Sequence, residues 1–283
     1  MKCDVILCLM TRRPLRWVLV AILAIACLPA PAVAQGGPPL ITDDPDTPGP
    51  GYWEINIAAL MEKTRAQRHV EVPRVDLNYG VGRRIQVKFE MPWVALLDKE
   101  QRTETGAGTA TVGVKWRFVG QEGERIAWSI YPQLDFNMAH SSVTRGIEEE
   151  GRQLLLPTEI TVEMFHLEIN GEVGRNLVEN GPDTWIFGVS TEGHVLPRLE
   201  LLAELHGERA IEQPTELIAV GGGRLKLTSR IIVLMAVGHT ARILPDEGPR
   251  TYAYAGLQLN LPRQFTFERD VGRRPAAPEI RRR

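Results

Sequence analysis

From Tyr52 to about Leu261 the chain alternates apolar and polar residues with a period of two, and this most constrains what it can fold into. Candidate strands fall at about 52–62, 69–80, 84–97, 107–120, 124–139, 152–160, 164–175, 183–194, 198–208, 214–226, 229–241 and 250–261. The sixth and seventh also read as one long strand with a kink at Pro157.

The connections add a second constraint. Strand pairs meet through short turns at 80–83, 120–123, 162–164, 196–198 and 228–230. Between them run longer polar segments at 63–68, 98–107, 140–151, 175–183, 209–214 and 243–249. A sandwich with Greek-key crossovers has no reason to alternate short and long connections. An up-and-down barrel in an outer membrane does, with turns on the periplasmic side and loops outside. The expected fold is all-β: an up-and-down antiparallel transmembrane β-barrel of about twelve strands.

The large aromatics favour the same reading. Trp53 and Trp185 open strands, Trp128 lies near a strand start, and Trp93, Trp116 and Tyr79 lie near strand ends. All are in phase with apolar neighbours. A soluble core scatters its aromatics along strands, whereas membrane interfaces gather them at the ends. These six are the expected aromatic girdle. The opposite phase is polar even in mid-strand. It supplies Lys88, Glu90, Lys115, Arg117, Asp135, His166, Glu168, Glu172, Glu204 and His206 as lumen-lining, selectivity-setting candidates. "LIAVGGGRLKL" and "RIIVLMAVGHT" are apolar on both faces. Their inner face needs a cover: a plug, which the leader can supply, or a partner.

The ends complete the plan. Residues 1–34 read as a secretory signal peptide: Arg12, Arg13 and Arg16, then "WVLVAILAIACL", then Ala32-Val33-Ala34 before Gln35. A signal anchor, or a lipoprotein with lipid on Cys27, are the alternatives. Residues 35–50 read as a periplasmic leader, 51–261 as the barrel and 262–283 as a C-terminal tail. Cleavage leaves 283 − 34 = 249 residues and removes Cys3, Cys8 and Cys27, so the mature chain has no cysteine. A formal net charge of −2 gives no sign of a nucleic-acid partner.

Catalytic and metal motifs are weak. Asp43, Asp44 and Asp46 lack the spacing of a known Ca²⁺ loop and read as solvated leader acids. His140 beside Ser141 and Ser142 points away from them on an extended chain. His166 beside Glu168, and His206 beside Glu204, admit a metal or a titratable constriction, but lumen hydrogen bonding is the simpler reading. Gly221–Gly223 sit mid-strand with no phosphate-loop lysine. No metal, cofactor or enzymatic role is expected.

"PPLITDDPDTPGPGYWEINIA", "FHLEINGEVG", "WIFGVSTEGHVLPRLELLAELHGE" and "YAYAGLQLNL" resemble a family of outer-membrane proteins named for the meta-cleavage pathway of phenol degradation. The resemblance runs from about Pro39 to Leu261. It implies a transporter-like β-barrel taking up aromatic or other small organic molecules, and it carries no catalytic residues. Outer-membrane lipid, the barrel assembly machinery and a small-molecule solute are the expected partners. The chain departs from the usual aromatic terminus by continuing as "PRQFTFERDVGRRPAAPEIRRR". A filled structural or assembly barrel, or a lipid-modifying outer-membrane enzyme, are the alternative functions.

Overall fold

The computed structural model describes residues 37–98, 102–121, 124–165, 167–242 and 248–262. The signal-peptide reading, nearly all of the tail, and His166 lie outside the described residues.

Fourteen strand segments form one antiparallel sheet closed on itself. They are β1 (Tyr52–Lys63), β2 (Gln67–Val81), β3 (Ile85–Asp98), β4 (Thr103–Ala107), β5 (Thr109–Val119), β6 (Ile126–Ile130), β7 (Gln133–Asn137), β8 (Arg152–Met164), β9 (Leu167–Val178), β10 (Thr184–Leu196), β11 (Leu199–Ala210), β12 (Glu216–Lys226), β13 (Ile231–Arg242) and β14 (Thr251–Pro262). Segments β4 and β5 share one stave against β3, and β6 and β7 share the next against β5 and β8. The barrel therefore has 14 − 2 = 12 staves in up-and-down order. Pairing of β1 with β14, from Tyr52 opposite Pro262 to Lys63 opposite Thr251, closes it. Closure satisfies every sheet edge, which a lipid environment demands.

Proline and glycine explain the two broken staves. The Tyr131–Pro132 step interrupts the fifth; proline has no N–H for the ladder. There the Val114 N–H turns to the Pro132 carbonyl at 3.0 Å. Gly108 interrupts the fourth, where its N–H reaches the Pro92 carbonyl at 3.0 Å; a Cβ there would lie 2.7 Å from the Pro92 ring. The expected turn at 162–164 moves. β8 continues to Met164, which pairs with Leu167, and the chain reverses at Phe165 with φ 53°. Pro157 lies inside β8 and β9 is a separate strand, so the single kinked strand is not formed.

The two faces separate as the period predicts. Outward residues such as Ile57, Val87, Val114, Leu201, Met235 and Val237 are exposed, the last by 67%. An apolar belt this extensive is too large for a water-facing surface. Inward residues are buried or half-buried and divide into two sectors. Lys88, Glu90, Lys115, Arg117, Glu159 and Glu172 belong to a charged sector across β3–β9. Ala58, Leu60, Leu202, Ile218, Val220, Ile232, Leu234, Ala236, Tyr252 and Tyr254 form an apolar inner wall across β11–β14 and β1.

Leader residues 37–46 lie inside the barrel, held by inward side chains of the wall. Leu40 is buried in the apolar inner wall, with Ile41 packed beside it. This is why β12 and β13 are apolar on both faces: one face looks outward and the other holds the leader. Burying Leu40 contributes roughly 1.5–3 kcal/mol. The opposite mouth carries the longest described connection, which contains a short helix, α1 (His140–Thr144), unread in the sequence. Ile147 of that connection is buried, and Glu148 accepts from the Thr109 hydroxyl at 2.9 Å.

Candidate functional site

Two acids, Asp43 and Asp46, set the leader in place. The Asp43 carboxylate accepts from Lys115 Nζ at 2.8 Å, and Lys115 also donates to the Asp44 carbonyl. Asp46 accepts from Arg117 Nη1 at 2.7 Å, while Arg117 Nη2 donates to the Arg83 carbonyl at 2.9 Å. Lys115 and Arg117 alternate along β5 with outward Trp116, so one strand's pleat sends both cations into the bore. Lys115 is 1% exposed, and its ammonium also lies 4.6 Å over the Tyr131 ring.

The other wall reads the leader's backbone. Glu204 on β11 accepts the Ile41 N–H at 3.0 Å and the Thr42 N–H at 2.5 Å. Glu172 on β9 accepts the Asp43 N–H at 3.3 Å. The Thr42 hydroxyl meets His206 Nδ1 at 3.4 Å. Arg224 on β12 donates to the Gly37 and Pro38 carbonyls, and the Tyr252 hydroxyl donates to the Pro39 carbonyl at 2.9 Å. Two glycines make room. A Cβ on Gly188 would stand 1.8 Å from Thr42 Oγ1, and one on Gly80 would stand 1.8 Å from the Gly49 carbonyl oxygen.

Electrostatics divides the two leader acids. Burial raises the Asp43 carboxyl, but Lys115 and Lys88 outweigh it and hold the group below its ordinary value. Burial pushes the Asp44 carboxyl up, and Lys115 only partly offsets this.

The residues singled out in the sequence, His166 aside, fall into four groups. Lys115, Arg117, Glu172, Glu204 and His206 contact the leader, as above. Lys88 and Glu90 belong to a separate lattice: Lys88 Nζ lies 2.9 Å from Glu90, and Arg74 lies 2.6 Å from the same carboxylate. Asp135 stands apart, accepting from the Thr111 hydroxyl at 2.6 Å. Glu168 stands near Asp44 and Glu192. The sequence reading did not single out Glu159, Glu192, Arg224 or Tyr131. Arg224 had a signal: it is the one charge in the inward run Ile218, Val220, Gly222, Arg224. Ser142 Oγ donates to the Ala107 carbonyl at 2.7 Å, and no hydrogen bond joins His140 to either serine among the described residues.

Beside the leader lies a cavity of about 410 Å³. Its lining includes Asp43, Asp76, Gln86, Lys88, Lys115 and Tyr131, and it reaches Pro50, Ser229 and Asn260 at the short-turn end.

On the outer wall, Trp53 stacks on Tyr79 with ring centroids 4.7 Å apart, and Phe118 lies 5.7 Å from Trp116 and 5.3 Å from Trp128. These rings lie toward the short-turn end. Trp185 lies at the long-loop end, with the Arg175 guanidinium 5.1 Å over it, and Trp93 lies toward that end of β3.

No protein-family model matches the chain, and no curated protein matches it significantly. Solved structures do. An outer membrane channel from Pseudomonas putida F1 matches with a TM-score of 0.64 at 9% identity, over 78% of this chain and all of that one. The NanC porin matches with a TM-score of 0.54 at 6% identity, over 73% of this chain and 100% of that one. The KdgM porin in complex with oligogalacturonate matches with a TM-score of 0.51 at 10% identity, over 73% and 98%. At these identities the likeness is one of fold, and that fold is the closed twelve-stranded barrel of outer-membrane channels.

Proposed function

We propose that this chain is an outer-membrane channel for passive passage of small organic molecules, its bore filled at rest by its own leader. The observation that carries the reading is how the leader is held. It forms no strand with the wall and is held chiefly by side-chain contacts from Lys115, Arg117, Glu204, Arg224 and Tyr252. Such contacts are separate from one another, unlike the continuous ladder of a paired strand. The closed barrel with its apolar belt supports an outer-membrane location, reached by a cleaved signal peptide and the barrel assembly machinery.

The bore offers a small solute two kinds of surface. Lys88, Glu90, Asp135 and Glu168 present charge, while Leu60, Ile218, Val220 and Tyr254 present apolar surface. An amphipathic molecule such as a small aromatic acid meets both, in keeping with the resemblance to phenol-degradation barrels. The permanently filled barrel is the second reading, and the same buried leader favours it.

Proteoliposome swelling distinguishes them. Vesicles carrying the barrel are expected to admit benzoate-sized solutes faster than protein-free vesicles. Equal rates for every solute, with the leader present and with it removed, would overturn the channel reading.

A further inference from the structure

Where the leader passes β9 and β10, three carboxylates converge. Oxygens of Asp44, Glu168 and Glu192 all lie within 4.8 Å of one another. Asp44 and Glu192 are buried, and Glu168 is 9% exposed. Burying like charges this close is costly unless something neutralises them.

The nearby cations are already engaged. Arg224 Nη1 pairs with Glu192 and stands 3.3 Å from Glu200. Lys115 faces Asp43 at 2.8 Å and Glu159 at 3.6 Å, and reaches Asp44 only at 3.9 Å. Among the described residues, each cation near Asp44 and Glu168 thus lies closer to another carboxylate than to either of them. Independently, Glu168 Oε1 and Asp44 Oδ2 are buried with no hydrogen-bond partner among the described residues. Both oxygens belong to the cluster's residues, and buried polar atoms without partners call for an explanation.

We propose that Asp44, Glu168 and Glu192 bind a divalent cation that ties the leader to the barrel wall. All donors are hard carboxylate oxygens, which suits Ca²⁺ or Mg²⁺ over softer metals. Ca²⁺ is favoured because it tolerates irregular carboxylate geometry, whereas Mg²⁺ demands a near-ideal octahedron and keeps its waters. One ligand comes from the leader, one from β9 and one from β10. Occupancy thus holds the leader in the bore. Asn170 Nδ2, 3.0 Å from Glu192 Oε1, orients that carboxylate from outside the cluster.

The test uses the full barrel in detergent, stripped with EDTA and titrated with CaCl₂ in a calorimeter. One saturable site is expected. Asp44→Asn and Glu168→Gln should each weaken it by at least about ten-fold, and Glu124→Gln at the exposed turn should leave it unchanged. In the unsubstituted barrel, thermolysin should cut the leader near Leu40 more slowly with Ca²⁺ than with EDTA. No saturable heat, or binding that ignores both substitutions, overturns the site. Binding that needs Glu168 but not Asp44 overturns the tie to the leader. No transport is measured, so failure here leaves the channel reading standing, and failure of transport leaves this site standing.

Discussion

Lys115 on β5 and Asp43 in the leader meet at 2.8 Å across 72 residues of sequence, and the ammonium is almost wholly buried. Lys115 also lies 3.6 Å from Glu159, which is fully buried. One cation thus faces a leader acid and a wall acid together. Lys115→Met should strand both charges and destabilise the docked state by about 3–5 kcal/mol. Thermolysin cleavage of the leader would report this as faster cutting. Adding Glu159→Gln should recover part of the loss, because the two changes share a partner. A double variant no better than the single would contradict the pairing.

Gly188 and Thr42 give a steric test. A Cβ at Gly188 would stand 1.8 Å from Thr42 Oγ1, closer than any real contact. Valine suits a β-strand, so Gly188→Val should keep the barrel and eject the leader. The unboiled protein should still run fast on a detergent gel, while leader cleavage rises at least about ten-fold, a shift of about 1.4 kcal/mol. Gly221→Ala, with nothing within 4 Å of the new methyl, should change neither.

The two adjacent leader acids predict a docking optimum in pH. Asp43 is held below its ordinary value, so its contribution is present above that value and is lost as pH falls through its depressed one. Asp44 is raised, so its charged form opposes docking, and taking up a proton on acidification relieves that cost. With divalent cation stripped by EDTA, docking should first strengthen on mild acidification, then weaken at lower pH. Asp44→Asn should remove the first phase and keep the second. Cleavage rates measured across the acid range would show both; a monotonic profile in the unsubstituted chain would contradict the assignment.

The tryptophans test which face meets lipid. Trp53, Trp116 and Trp128 are exposed on the outer wall toward one end. In reconstituted barrels, lipids brominated near the headgroup should quench their fluorescence at least about two-fold more than aqueous iodide does. Stronger quenching by iodide would place that wall in water.

The barrel was legible because period two and connection length are local signals. Twelve staves, their order and their inward faces follow from them, and strand limits shift by a few residues where Val162 to Met164 pair instead of turning. The breaks at Gly108 and Pro132 were missed because they depend on neighbours across the sheet. The leader's place was half legible. Apolar inner positions such as Val220 and Leu234 demanded a cover, and Leu40 supplies it. Yet "TDDPD" reads as a solvated leader until Lys115, Glu204 and Arg224, each far along the chain, are brought around it. No window of sequence holds both halves of such contacts. The convergence of Asp44 with Glu168 and Glu192 was invisible for the same reason.

A channel filled by its own leader should conduct poorly until the leader is gone. Single-channel conductance in planar bilayers tests it most directly, comparing the full chain with one lacking residues 37–48, each checked for a heat-shifted band. Small, infrequent steps are expected for the full chain and larger, sustained ones without the leader, with Gly188→Val in between. A shortened barrel that folds and still gives no steps would contradict it.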